Sequence, residues 1–130
     1  MTFSVSWVPR GVVVTYAGTV TTREVLTCHE EIAAGPAFDD LRFAIVDTLQ
    51  VTTIAIGGDD VVQINAFLQG PACTNPNITV VFVATHPDVL RALAAYDAIS
   101  MRAYRQQVCT SRGAARELIA GSKPNFRPRG

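Results

Sequence analysis

Hydrophobic and polar residues follow two different periods along this chain. Phe3, Val5 and Trp7 alternate with Ser4 and Ser6. A period of two marks a half-buried strand. Pro9-Arg10-Gly11 is a turn signal, and residues 12–16 return as a second strand. A connection this short predicts an antiparallel hairpin. The period then lengthens. Val25, Leu26, His29, Ile32 and Ala33 recur at helical spacing behind Thr21 and Glu24, the residue types of a capping box. Gly35-Pro36 is a stop signal, so a helix is expected over residues 22–34.

Residues 43–46 and 78–84 are short, continuous apolar runs. Such runs fit parallel strands covered on both faces. The first ends at Asp47, and a threonine-rich loop follows it. Gly57-Gly58-Asp59-Asp60 then opens a helix over 59–69, capped by Gly58 or Asp59 and ended by Gly70-Pro71. Val61, Val62, Asn65, Ala66 and Leu68 would share one side of it. Thr85-His86-Pro87-Asp88 starts a helix over 87–100, with proline early in the first turn. Residues 104–109 are mostly polar and read as an edge strand. Thr110 or Ser111 caps a last helix over 111–120.

The order is β-β-α-β-α-β-α-β-α. Right-handed crossovers make strands separated by helices parallel. The expected fold is therefore α/β: a mixed, mainly parallel five-stranded sheet, four helices and an opening β-hairpin. Residues 43–46 and 78–84 should be neighbours. Ile45, Leu68, Val80, Phe82, Leu90 and Leu93 are the expected core.

A chain of 130 residues makes one domain. It should span residues 1–121 and leave 122–130 as a flexible basic tail. Eleven basic and eleven acidic side chains cancel, so no broad field draws nucleic acid. No apolar run reaches the ~20 residues of a membrane span. The first residues lack the basic-then-apolar pattern of a signal peptide. Cys28, Cys73 and Cys109 are widely spaced and form no CxxC. A reducing, cytoplasmic setting is expected, and there the sequon Asn77-Ile78-Thr79 has no meaning.

The candidate chemistry is sparse. The helix mouth at Gly57 and Gly58 offers free N–H groups to an anion or another backbone. Alternatively it is a glycine turn in which Asp59 and Asp60 satisfy the helix dipole themselves. Asp47 is either a functional carboxylate at a strand end or a turn residue bonding local amides. Cys28 and His29 are adjacent on a helix and so point about 100° apart, which prevents a thiol–imidazole pair. His86 reads as a cap. Two histidines and three scattered cysteines give no metal spacing, and no cofactor motif is present. Arg102, Arg105, Arg112 and Arg116 make the late chain basic, with solvated arginines the default and a partner patch the alternative.

The run from Asp47 to Asp60 resembles the STAS domain of bacterial anti-sigma-factor antagonists. Asp47 matches the family's aspartate at the strand end, Val51-Thr52 its loop, Ile54 its apolar position and Gly58 its glycine. Ala55, Ile56 and Gly57 stand where the family has Asp-Ser-Ser, so its phosphorylatable serine is Gly57 here. The chain also resembles small bacterial STAS/SEC14-like proteins through Trp7, Phe38-Asp39, the Asp47 and Val51-Thr52 loop, and Thr85-His86-Pro87. This resemblance implies a SpoIIAA-like (STAS-type) fold. It further implies a non-catalytic interaction module without the phospho-serine switch, binding a protein partner or a second copy through Asp47, Thr48, Thr52, Thr53, Gly57, Gly58, Asp59 and Asp60. The alternative it suggests is a binding protein for a small apolar or lipid-like ligand. A third reading is an enzyme using Cys28.

Overall fold

Each new strand is laid beside the one before it, so the sheet order is β1-β2-β3-β4-β5. A computed structural model describes residues 3–99 and 101–122. The strands are β1 Phe3–Val8, β2 Gly11–Thr21, β3 Phe43–Ala55, β4 Thr79–Val83 and β5 Gln106–Cys109. The helices are α1 Thr22–Ala33, α2 Gly58–Thr74, α3 Pro87–Asp97 and α4 Arg112–Ser122, with a 3-10 turn at Phe38–Asp40. β1 and β2 pair antiparallel, and the remaining pairs are parallel. The expected neighbours β3 and β4 pair from Phe43 with Thr79 to Asp47 with Val83. β5 lies at the edge, as its polar sequence indicated. The expected tail lies outside the described residues, apart from Ser122. α3 ends at Asp97, short of the expected end at Ser100, which itself lies outside the described residues.

Winding in one direction with right-handed crossovers puts successive helices on the same face. Accordingly α1, α2 and α3 share one side of the sheet, where Val12, Val14, Tyr16 and Val46 meet Cys28 and Val89. Among the described residues only α4, which follows the last strand, covers the other side. Its Ala115 packs on Ile45, Val81 and Val83.

The capping residues work as their types suggest. Thr21 Oγ1 accepts from the Glu24 N–H at 3.3 Å, and Glu24 Oε1 accepts from the Thr21 N–H at 3.1 Å. His86 Nδ1 accepts from the Asp88 N–H at 3.1 Å. Ser111 Oγ accepts from the Ala114 N–H at 3.0 Å, at the start of α4.

The structure corrects three expectations. The threonine-rich loop is strand: β3 runs on to Ala55, paired with β2 as far as Thr21. Two register shifts, one beside Gly18 at φ +71°, let this ribbon coil beyond the sheet. Second, Gly70-Pro71 does not end α2, which continues to Thr74. Its last turn is fixed from outside. Asn75 donates through its N–H to the Pro71 carbonyl at 2.8 Å and through Nδ2 to the Phe38 and Leu41 carbonyls at 2.8 and 3.0 Å. Tertiary anchoring here outweighs the lost proline donor. Third, the core is rotated. Ile45 and Leu68 are buried, but Leu90 is 41% exposed, and Val80, Phe82 and Leu93 are only half-buried. The fully buried side chains of β4 are Val81 and Val83. On α3 the buried residues are Val89 and Tyr96.

Candidate functional site

Most of the candidate residues lie along the end of β3 and the start of α2. Thr52, Thr53, Gly57, Gly58 and Asp59 are exposed there, with Asp60 half-buried beside them. Gly57, not Gly58 or Asp59, is the N-cap of α2. It has no side chain with which to cap. Instead Asp60 Oδ2 accepts from the Gly57 N–H at 2.9 Å. A carboxylate thus occupies the positive end of the helix, where it satisfies a free donor and the dipole together. No backbone need explains the glycines: both have negative φ, and a β-carbon on Gly57 would meet only Asp60 Oδ2, at 3.6 Å.

Asp47 and Thr48 do not join this surface. Consecutive strand residues point to opposite faces, and both side chains are buried. Asp47 lies on the α4 side. Its Oδ2 accepts from Arg112 Nε at 2.7 Å, and its Oδ1 accepts from the Leu49 N–H at 2.9 Å. Arg112 Nη2 also donates to Thr15 Oγ1 at 3.2 Å. The carboxylate therefore bonds a local amide, as the turn reading held, and in addition clamps the first residue of α4 to β2 and β3. On the opposite side Thr48 Oγ1 donates to the Val83 carbonyl at 2.7 Å. Val62, expected to share a side of α2 with Val61, Asn65, Ala66 and Leu68, is 58% exposed, whereas Val61, Asn65 and Leu68 are buried.

The second feature is a partly open hollow. A cavity of about 190 Å³ lies between the sheet and α1, α2 and α3. Val14, Val46 and Phe82 face it from the sheet, and His29, Leu68 and Leu93 face it from the helices. No Asp, Glu, Lys or Arg contributes to its wall. Its polar members are mostly committed to the protein. Gln106 Nε2 donates to the Leu93 carbonyl at 2.8 Å, and Tyr96 Oη donates to the Tyr104 carbonyl and accepts from the Tyr104 N–H, both at 3.0 Å. Tyr104 Oη donates to the Asn75 carbonyl at 3.0 Å. The His29 imidazole stands half-buried in this wall, and dehydration pushes its pKa down to about 4.

Cys28 beside it is sealed in the core, with 1% exposure. Burial pushes its thiol up to about 11, against a smaller lowering by the Tyr16 hydroxyl. Thiolate is the reactive form, so Cys28 is held in its inert state at neutral pH. Among the described residues no cluster of three metal-ligating side chains occurs, and no helix is long and apolar enough to cross a membrane.

Asn65 is a residue whose role the sequence did not indicate. Buried on α2, it donates through Nδ2 to the Met101 carbonyl at 3.0 Å and accepts from the Ala103 N–H at 2.8 Å. It ties down the connection between α3 and β5. An amide among the apolar residues of α2 was the available signal.

No protein-family model matches the chain, and no curated protein does. Solved structures do. The anti-sigma factor antagonist SpoIIAA in its unphosphorylated form superposes with a TM-score of 0.62 at 10% identity, covering 92% of this chain and 98% of that one. The phosphorylated form of SpoIIAA, a Bacillus cell fate determinant, gives a TM-score of 0.54 at 13% identity over 89% of this chain and 98% of that one. The fold is thus the SpoIIAA-like α/β fold, a mixed and mostly parallel sheet opened by a hairpin.

Proposed function

We propose, from this SpoIIAA-like fold, that the chain is a non-catalytic regulatory module that binds a protein partner at the mouth of α2 without a phosphate switch. The observation that carries the reading is the exposure of Gly57, Gly58 and Asp59 at a helix start that lacks the family's hydroxyl, with Thr52 and Thr53 exposed on the strand that leads to it. Val62 lies one turn further along α2 and supplies an exposed apolar centre. A central apolar side chain within a polar rim is the usual anatomy of a protein contact. Asp47 and Thr48 take no part in this surface and act as internal supports.

A phosphate works as a switch by adding nearly two negative charges. Asp59 and Asp60 give this site fixed charge instead, so the contact is constitutive. The inert Cys28 supports a non-catalytic role, and the free thiols of Cys28, Cys73 and Cys109 fit a reducing cytoplasm.

The test combines phosphopeptide mapping with pull-downs from the native cell using wild type, Val62→Glu and Gly57→Asp. A protein partner or a second copy should be held by wild type and lost by Val62→Glu, with the variant's melting temperature unchanged. Retention by both variants sinks the reading. So does stoichiometric phosphate on Thr52 or Thr53 that releases the partner.

A further inference from the structure

The hollow carries an inference beyond the surface reading. Its volume of about 190 Å³ exceeds the ~150 Å³ of an engineered apolar cavity that stays dry and takes up benzene. An ordered water needs two to four polar partners. Here the hydroxyls of Thr48, Tyr96 and Tyr104 and the Nε2 of Gln106 already bond protein carbonyls, and the Tyr16 hydroxyl meets Cys28. His29 is committed at neither ring nitrogen. It sits in the apolar stripe of α1 with Val25, Cys28 and Ile32, faces the cavity, and has no side-chain hydrogen-bond partner among the described residues.

We propose that this cavity binds a small neutral ring compound carrying one hydroxyl or carbonyl group, held by the apolar wall and oriented by His29. Volume sets the upper limit: one ring with a short substituent fits, and a whole acyl lipid does not. The wall sets the charge. With no ionised side chain facing inward, a carboxylate or ammonium would lose its water without a counter-charge. A neutral imidazole offers one donor and one acceptor, so it meets a hydroxyl from either side. The hollow is not sealed: His29, Phe82 and Leu93 of its wall are only half-buried.

The experiment is an amide NMR titration of the full chain with benzene, phenol and benzoate at neutral pH. Benzene and phenol should give saturable shifts at Val14, Val46 and Phe82. Phenol should bind about five- to tenfold more tightly, the worth of one neutral hydrogen bond. Benzoate should not bind. In His29→Leu benzene binding should persist while phenol's advantage falls below about twofold. Ala44→Leu places a side chain in the hollow and should abolish both titrations. Xenon NMR on wild type needs no variant and should show a saturable bound resonance. The inference is overturned if wild type gives no saturable shift with benzene or phenol and no bound xenon. Benzoate binding as tight as phenol would overturn the neutral class, and an undiminished phenol preference in His29→Leu would overturn the orienting role.

Discussion

One helix packs tightly over part of its side of the sheet, while three helices leave a hollow beneath theirs. On the α4 side Val81, Val83 and Ala115 are all at 0% exposure. A small residue at the contact lets the helix lie close, and the Asp47–Arg112–Thr15 bonds fix its first turn. On the other side α1, α2 and α3 bring far more apolar surface, yet Val80 and Phe82 are only half-buried. The reason lies in which residues meet. Small residues line the hollow from three elements, Ala44 of the sheet, Ala33 of α1 and Ala92 of α3. Small opposite small leaves space, whereas close packing needs large opposite small. Tightness therefore follows side-chain complementarity and not the number of helices.

Acid should produce the largest change, through a group on the hollow side. The folded pKa of His29 is about 4 against an ordinary 6.5, so the unfolded chain takes up the proton first. Its contribution to stability is complete above the unfolded value and is lost as pH falls towards 4, by up to about 3 kcal/mol. Denaturant curves at about pH 7 and about pH 4 should show a smaller loss for His29→Leu than for wild type. An equal loss would mean that the imidazole is hydrated.

The adjacent valines of β4 test the comparison most directly. Val81→Ala should cost about 2 kcal/mol, from lost burial plus the void it leaves. Val80→Ala enlarges a space that already exists and should cost about 1 kcal/mol or less. Equal costs by chemical denaturation would erase the difference between the faces. Next in size is Arg112→Ala, expected to cost about 1–2 kcal/mol because the buried Asp47 carboxylate loses its charged partner. Arg112→Lys should recover only part of that, since one ammonium does not reproduce the two-armed contact with Asp47 and Thr15. The smallest effect belongs to neither face. Gly57→Ser adds a capping hydroxyl at a conformation and in a space that accept it. It should change the melting free energy by only a few tenths of a kcal/mol.

Much of the fold was legible because local chemistry and the final structure agree. The hairpin, the Thr21–Glu24 box, the His86 and Ser111 caps and the pairing of β3 with β4 follow from short-range patterns. What was not legible depends on partners distant in sequence. Thr52 and Thr53 look like loop residues, yet β-branched side chains suit a strand, and β2 was there to pair with Val51 and Thr53. Pro71 looks like a stop, but Asn75 holds the turn beyond it. β4 is apolar at every position after Thr79, so no alternation shows that Val81 and Val83 meet a helix while Val80 and Phe82 meet a cavity. Leu90 shares spacing with Leu93, but the buried stripe of α3 passes through Val89 and Tyr96. At the candidate site the exposed glycines and aspartates were readable as a helix start. The fate of Asp47 was not, because its arginine lies 65 residues away.

A sheet whose strands stand in chain order has a consequence for how the protein is made. As the polypeptide leaves the ribosome, every new strand finds its neighbour already synthesised, and no strand must wait to be inserted between two others. Contacts between successive units favour quick assembly. The exception is the stripe of Val13, Ile45, Val81 and Val83, whose cover is the last described element to emerge. Until then that stripe stays wet and able to stick to other chains, the condition in which nascent proteins engage chaperones.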